Sequence, residues 1–147
     1  VDHFKGVNDA YGHSIGDDYL RAVAQVLRKV VTRSTDLAAR HGGEEFTCLL
    51  PDTSATQAQA LAERIREATQ RLTLPNARAW HPMLTLSIGV ATLEAGPASA
   101  QQLLEQADGQ LYVAKRTVRN RVFATVLRGA VTEPPMPQPA PPPHARA

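Results

Sequence analysis

Three amphipathic stripes, each followed by a run suited to a β-strand, leave few folds open to this chain. Residues 18–31 set Leu20, Val23, Ala24, Leu27, Val30 and Val31 at spacings of three and four, one face of a helix capped by Asp17 or Asp18. A second helix is predicted after Ser54, where Gln57 completes a capping box and Ala58, Leu61, Ala62, Ile65 and Ala68 share a face. A third begins near Ser99 with Gln102 as its partner and carries Leu103, Leu104, Ala107, Leu111 and Ala114 inward. The strand candidates are Leu37–Ala39, Phe46–Leu50, Met83–Ala91 and Val122–Leu127, with a weaker one at Ala77–Trp80. Since Leu37–Leu50 reads as a hairpin, the order predicts an α+β fold: a mixed, mainly antiparallel central sheet flanked by helices, in the manner of split βαβ units.

The bulk numbers fit one domain. A chain of 147 residues, 43% hydrophobic and 20% charged, has the make-up of an ordinary globular protein with a real core. No stretch approaches the roughly 18 apolar residues of a membrane span, and no export signal opens the sequence. A single cysteine, Cys48, excludes an internal disulfide and suits a reducing, cytoplasmic setting, where it reads as a core residue. The net charge of +2 is too small to argue for a nucleic-acid polymer as partner, while an acidic small ligand stays open. Seven of the eleven prolines lie between Pro134 and Pro143, so residues 128–147 read as a proline-rich disordered tail or linker. At the other end "VDHF" reads as the close of a strand whose beginning is absent, which marks the chain as a fragment.

Three places carry residue types suited to chemistry. Asn8 and Asp17 can read a purine edge, because an amide both donates and accepts while a carboxylate accepts from the N1–H and amine of guanine. Gly12 and Gly16 bracket a turn between them, although Asn and Asp are equally at home in turns for their own sake. In "RHGGEEF" Gly42 and Gly43 clear side chains from where a phosphate would approach the backbone, and Glu44 and Glu45 follow directly. Adjacent residues point to opposite faces, so one carboxylate can ligate a hard cation while the other serves substrate or structure; a solvated acidic hairpin fits the same letters. Lys115 and Arg119, at the end of the third helix, suit its dipole or a clamp on a triphosphate. The five histidines show no metal-ligand spacing, and Trp80 reads as a packing residue.

In order and spacing, "VDHFKGVNDAYGHSIGDDYL", "RSTDLAARHGGEEF", "LTLSIGVA" and "ADGQLYVAKRTVRNRV" resemble the GGDEF family, the diguanylate cyclases that make cyclic di-GMP, over residues 1–127. The resemblance implies a nucleotidyl-cyclase or polymerase-palm-like fold with a ferredoxin-like core. It implies that two GTP molecules condense to cyclic di-GMP with release of pyrophosphate, with Mg²⁺ or Mn²⁺ as cofactor and a homodimer for catalysis. By the same resemblance Glu44 and Glu45 are the catalytic carboxylates, and Glu44 and the backbone carbonyl of Val1 hold metal. Asn8 and Asp17 contact guanine, Gly42 and Gly43 admit the phosphates, and Lys115 and Arg119 bind them. "RSTD" fits an RxxD inhibitory motif, so that Arg33 and Asp36, with Arg64 on the second helix, bind the product away from catalysis. A catalytically silent sensor of cyclic di-GMP or GTP is the alternative.

Two departures stand out. The family usually has glycine where Val118 stands, and a metal-binding aspartate immediately before the position of Val1. The missing carboxylate, first helix and most of the first strand predict a fragment that is poorly folded and inactive by itself.

Overall fold

The computed structural model describes residues 1–79 and 81–129. In chain order these form α1 (Phe4–Tyr11), α2 (His13–Val30), β1 (Leu37–Gly42), β2 (Glu45–Leu49), α3 (Ala55–Gln70), β3 (Ile88–Ala95), α4 (Ala100–Thr117) and β4 (Val122–Arg128). Both capping boxes form: the Ser54 and Ser99 hydroxyls accept from the backbone N–H of Gln57 and Gln102, whose side chains accept in return. The stripe on α2 buries Leu20, Val23 and Leu27 against Phe4 and Val7 of α1, Ile65 of α3 and the segment bearing Leu84 and Leu86. No helix among the described residues is long and apolar enough to cross a membrane.

The start of the chain differs from expectation. "VDHF" leads into a helix rather than ending a strand, and Gly12, at φ +85°, is the break between α1 and α2. Asp17 and Asp18 lie inside α2 instead of capping it, because the break at Gly12 lets the helix begin at His13. Gly16 is likewise helical and forms no turn.

The mixed helix and strand composition is as predicted, but the sheet is divided. β1 and β2 form an antiparallel hairpin, pairing Leu37 with Leu49 and Gly42 with Glu45. β3 and β4 run parallel, Ile88 opposite Val122, with α4 as the crossover that parallel neighbours require. Among the described residues the two ladders do not join into one central sheet. Between them lies a cavity of about 710 Å³, lined by every residue of Phe46–Leu50 and of Ile88–Leu93 and by Val1. Successive strand residues point to opposite faces, so a cavity that touches all of them runs along two strand edges.

Of the expected Met83–Ala91 strand only Ile88–Ala91 is ladder; Met83 makes a lone bridge to Pro75, and Thr85 and Ser87 turn their hydroxyls to Asp2. Ala77–Ala79 form no strand, and Trp80 lies outside the described residues. Arg128 closes β4 and the Gly129 N–H donates to the Ala95 carbonyl, so the expected tail begins no earlier than residue 130, and 130–147 lie outside the described residues.

Candidate functional site

The β1–β2 turn is the centre of the candidate site. Gly43 takes φ +50°, which glycine alone adopts freely, and Arg40 Nε donates to its carbonyl at 2.8 Å. A Cβ at Gly42 or Gly43 would meet nothing within 4 Å, so no neighbouring side chain accounts for either glycine. What the missing side chains leave is open approach to the backbone.

Two distant parts of the chain reach this turn. The backbone nitrogen of Val1 donates to the Glu44 carbonyl at 3.1 Å. From the last turn of α4, Lys115 Nζ reaches Glu45 Oε1 at 3.5 Å. Glu44 is half-buried while Glu45 is exposed, so the adjacent carboxylates do have different surroundings. Arg119 follows α4 with φ 57°, its N–H donating to the Ala114 carbonyl at 3.1 Å. Val118 sits at φ −130°, a conformation open to any residue, so glycine is not needed there.

Asn8 and Asp17 are less clearly joined. Asn8, on α1, buries its side-chain Oδ1 with no hydrogen-bond partner among the described residues. Asp17 is exposed on α2, bordering a groove of about 380 Å³ with Arg21, Arg28, Arg40 and Phe46, to which Asn8 does not contribute. They are linked through Gly16, whose missing Cβ would lie 2.0 Å from Asn8 Oδ1.

Arg33 and Asp36 form a fork at 2.6–3.1 Å in the link between α2 and β1. Arg33 also donates to the Pro51 carbonyl at 2.9 Å and to Thr53 Oγ1. The guanidinium holds the Asp36 carboxyl below the usual carboxylate range, and the carboxylate raises Arg33 in turn. Arg64 is exposed on α3 and does not join this fork.

Among the described residues no group of three or more His, Cys, Asp or Glu side chains is placed to hold a metal. The donors on offer at the turn are oxygens, the Glu44 carboxylate and the Val1 carbonyl, whose backbones are tied together. That set fits a hard cation of the Mg²⁺ kind, which is commonly held by one or two carboxylates plus substrate phosphates.

A family model described as "Diguanylate cyclase, GGDEF domain" matches residues 1–121. The chain belongs to the GGDEF family. Among curated relatives, a probable diguanylate cyclase, DgcT of Escherichia coli (strain K12), is 44% identical over 83% of this chain and 27% of its own length. Diguanylate cyclase A of Treponema denticola is 43% identical over 83% of this chain and 32% of its own. The chain thus spans about a quarter to a third of these relatives, between 27% and 32%. The GGDEF domain of DgcB from Caulobacter crescentus, solved with c-di-GMP, superimposes with a TM-score of 0.74 at 39% identity, covering 84% of this chain and 72% of that one. The active GGEEF domain of a diguanylate cyclase from Vibrio cholerae gives a TM-score of 0.67 at 31% identity, covering 84% and 76%.

Within this GGDEF domain several residues that brace the candidate site carried no motif in the sequence. Asp2 is buried and accepts from Thr85, Ser87 and the backbone of Asn120. Arg66 reaches Asn120 from α3, and Arg40 braces the glycine turn. Arg40 alone carried a usable signal, a cation three residues before Gly43 in a hairpin; the others depend on contacts 54 and 118 residues apart.

Proposed function

We propose that this domain serves a diguanylate cyclase, condensing two GTP molecules into cyclic di-GMP. The observation that carries the reading is the meeting of Val1, Glu44, Glu45 and Lys115 at an open Gly-Gly turn. It supports a triphosphate lying along the turn, with Lys115 and Arg119 neutralising its charge. The unpartnered Asn8 Oδ1 suits a donor on guanine, and Asp17 one step beyond Gly16 supplies a carboxylate for the same edge.

In this reading the 3′-hydroxyl oxygen of one GTP attacks the α-phosphorus of the other, the bond to the β-phosphate oxygen breaks, and pyrophosphate departs; the reciprocal transfer closes the ring. Mg²⁺ or Mn²⁺ held by Glu44 and the Val1 carbonyl would favour loss of the hydroxyl proton and offset charge on the leaving group. Glu45 keeps Lys115 over the turn. Each domain offers one hydroxyl and one α-phosphate, so catalysis takes two domains face to face.

Product inhibition through Arg33 and Asp36, assisted by Arg64, belongs to the same proposal. Arg33 is half exposed while paired with Asp36, and a half-exposed guanidinium suits stacking on a guanine or contact with a phosphate.

The test is to supply GTP and Mg²⁺ to the chain, and to a version with an aspartate and an apolar strand ahead of Val1. Cyclic di-GMP from the extended version, abolished by Glu44→Ala, is the expected result. A folded extended version that binds cyclic di-GMP and makes none would replace the enzyme with a sensor.

A further inference from the structure

We infer that Asp2 and Arg66 are positioning residues that hold Asn120, and through it the loop presenting Arg119, in the geometry that binds triphosphate. The inference rests on the proposed role of Arg119. Its observation is a brace from two distant segments of the chain onto one residue.

Arg119 and Asn120 take φ 57° and 47°, two consecutive non-glycine residues in the left-handed region. Such a pair persists only where the surroundings over-determine it. Here Asp2 Oδ2 accepts the backbone N–H of Asn120 at 3.1 Å, and Arg66 Nη1 donates to Asn120 Oδ1 at 3.0 Å. Both anchors are themselves fixed. The buried Asp2 carboxylate also accepts from Thr85 Oγ1 and Ser87 Oγ, each at 2.7 Å. Arg66 is held on α3 by Glu63 at 2.7 Å and Gln70 at 3.2 Å, its side chain only 17% exposed.

The geometry joins the two halves of the site. Asp2 is covalently next to Val1, which bonds the Glu44 carbonyl, while its carboxylate bonds the loop carrying Arg119. One buried side chain therefore sets the spacing between the glycine turn and the arginine. Arg66 fixes the remaining freedom of Asn120, because a residue held at its N–H alone can still rotate its side chain.

The test is a double-mutant cycle on the full chain, reading Mg²⁺·GTP affinity by titration and folding by thermal melting. Arg119→Ala is expected to weaken GTP binding about 10-fold or more, and Arg66→Ala about 5- to 30-fold. If Arg66 acts through Arg119, Arg66→Ala costs almost nothing further in the Arg119→Ala background. Asn120→Gly, which keeps the left-handed backbone and its N–H but deletes Oδ1, is expected to match Arg66→Ala while the melt stays cooperative. Additive losses, or Arg66→Ala and Asn120→Gly binding as tightly as the wild type while Arg119→Ala does not, overturn the brace alone. Indifference of GTP binding to Arg119→Ala overturns the role of Arg119 as well.

Discussion

Gly16 lies directly against the side chain of Asn8: a Cβ there would fall 2.0 Å from Oδ1 and 3.1 Å from the amide carbon. A glycine inside a helix normally costs about 0.5–1 kcal/mol relative to alanine, so Gly16→Ala should stabilise if helix propensity decided the matter. The contact with Asn8 decides it instead. The terminal amide of Asn8 has to swing away, which absorbs part of the strain but removes Oδ1 from its place. Gly16→Ala is expected to leave the melting temperature within a few degrees and to weaken GTP binding about 10-fold or more. A variant that is more stable and binds GTP unchanged would show that Asn8 does not read the base.

The Lys115–Glu45 pair predicts a separation of stability from binding. Both side chains are partly solvated at 3.5 Å, and pairs of this kind contribute at most about 1 kcal/mol. Glu45→Gln should barely move the melt. Lys115→Met should do the same to the melt, yet weaken GTP binding and flatten its dependence on salt, as loss of a phosphate contact requires. Equal salt dependence in Lys115→Met and wild type would remove Lys115 from the phosphates.

Product inhibition has its own variant. Arg33→Ala is expected to abolish inhibition by cyclic di-GMP while sparing GTP binding, since the fork at Arg33–Asp36 shares no residue with the glycine turn. Asp36 is held below its ordinary 3.8, so the fork is intact above that value and is lost only as pH falls through the lower folded value. An NMR titration with the Asp36 carboxyl at or above 3.8 would contradict the pairing.

Cys48 predicts chemical silence. Burial pushes its thiol from 9.0 up to about 11, so at neutral pH it reacts slowly with alkylating reagents unless the domain is unfolded. Below 9.0 the thiol is neutral in both states and stability is unaffected; between 9.0 and about 11 the unfolded chain ionises first, and stability falls as pH rises. Rapid labelling of the native domain at pH 7 would show Cys48 to be open to solvent.

The helices most clearly written in the sequence are those with local signals. Ser54 with Gln57 and Ser99 with Gln102 define starts through side chains three residues apart, and both boxes form. α1 lacked such a signal. His3 caps it in a left-handed conformation with no side-chain bond, and the next break is a glycine that reads equally as a turn. The Leu37–Leu50 hairpin was legible because its pairing is local. How the ladders sit was not: β3 finds β4 across a helix, and the edge of β2 borders a cavity. At the candidate site, motif spacing singled out Glu44, Glu45 and Lys115, and Glu45 and Lys115 do meet, whereas Asp2, Arg66 and Asn120 became visible only through their contacts.

That cavity carries a stability prediction. It is bordered by two strand edges and by apolar side chains of α3 and α4, including Leu61 and Leu111. A version with an apolar strand ahead of Val1 should melt higher and more cooperatively, each side chain seated there contributing about 1.5–3 kcal/mol. An unchanged melt would show that the cavity does not accept a strand.

The most direct measurement of the central claim is the stoichiometry of pyrophosphate to cyclic di-GMP when GTP and Mg²⁺ are supplied to that extended version. Condensation of two GTP predicts two pyrophosphates per cyclic di-GMP, with both products lost in Glu44→Gln while GTP remains bound. GTP binding without pyrophosphate release in the folded, extended protein would contradict the account.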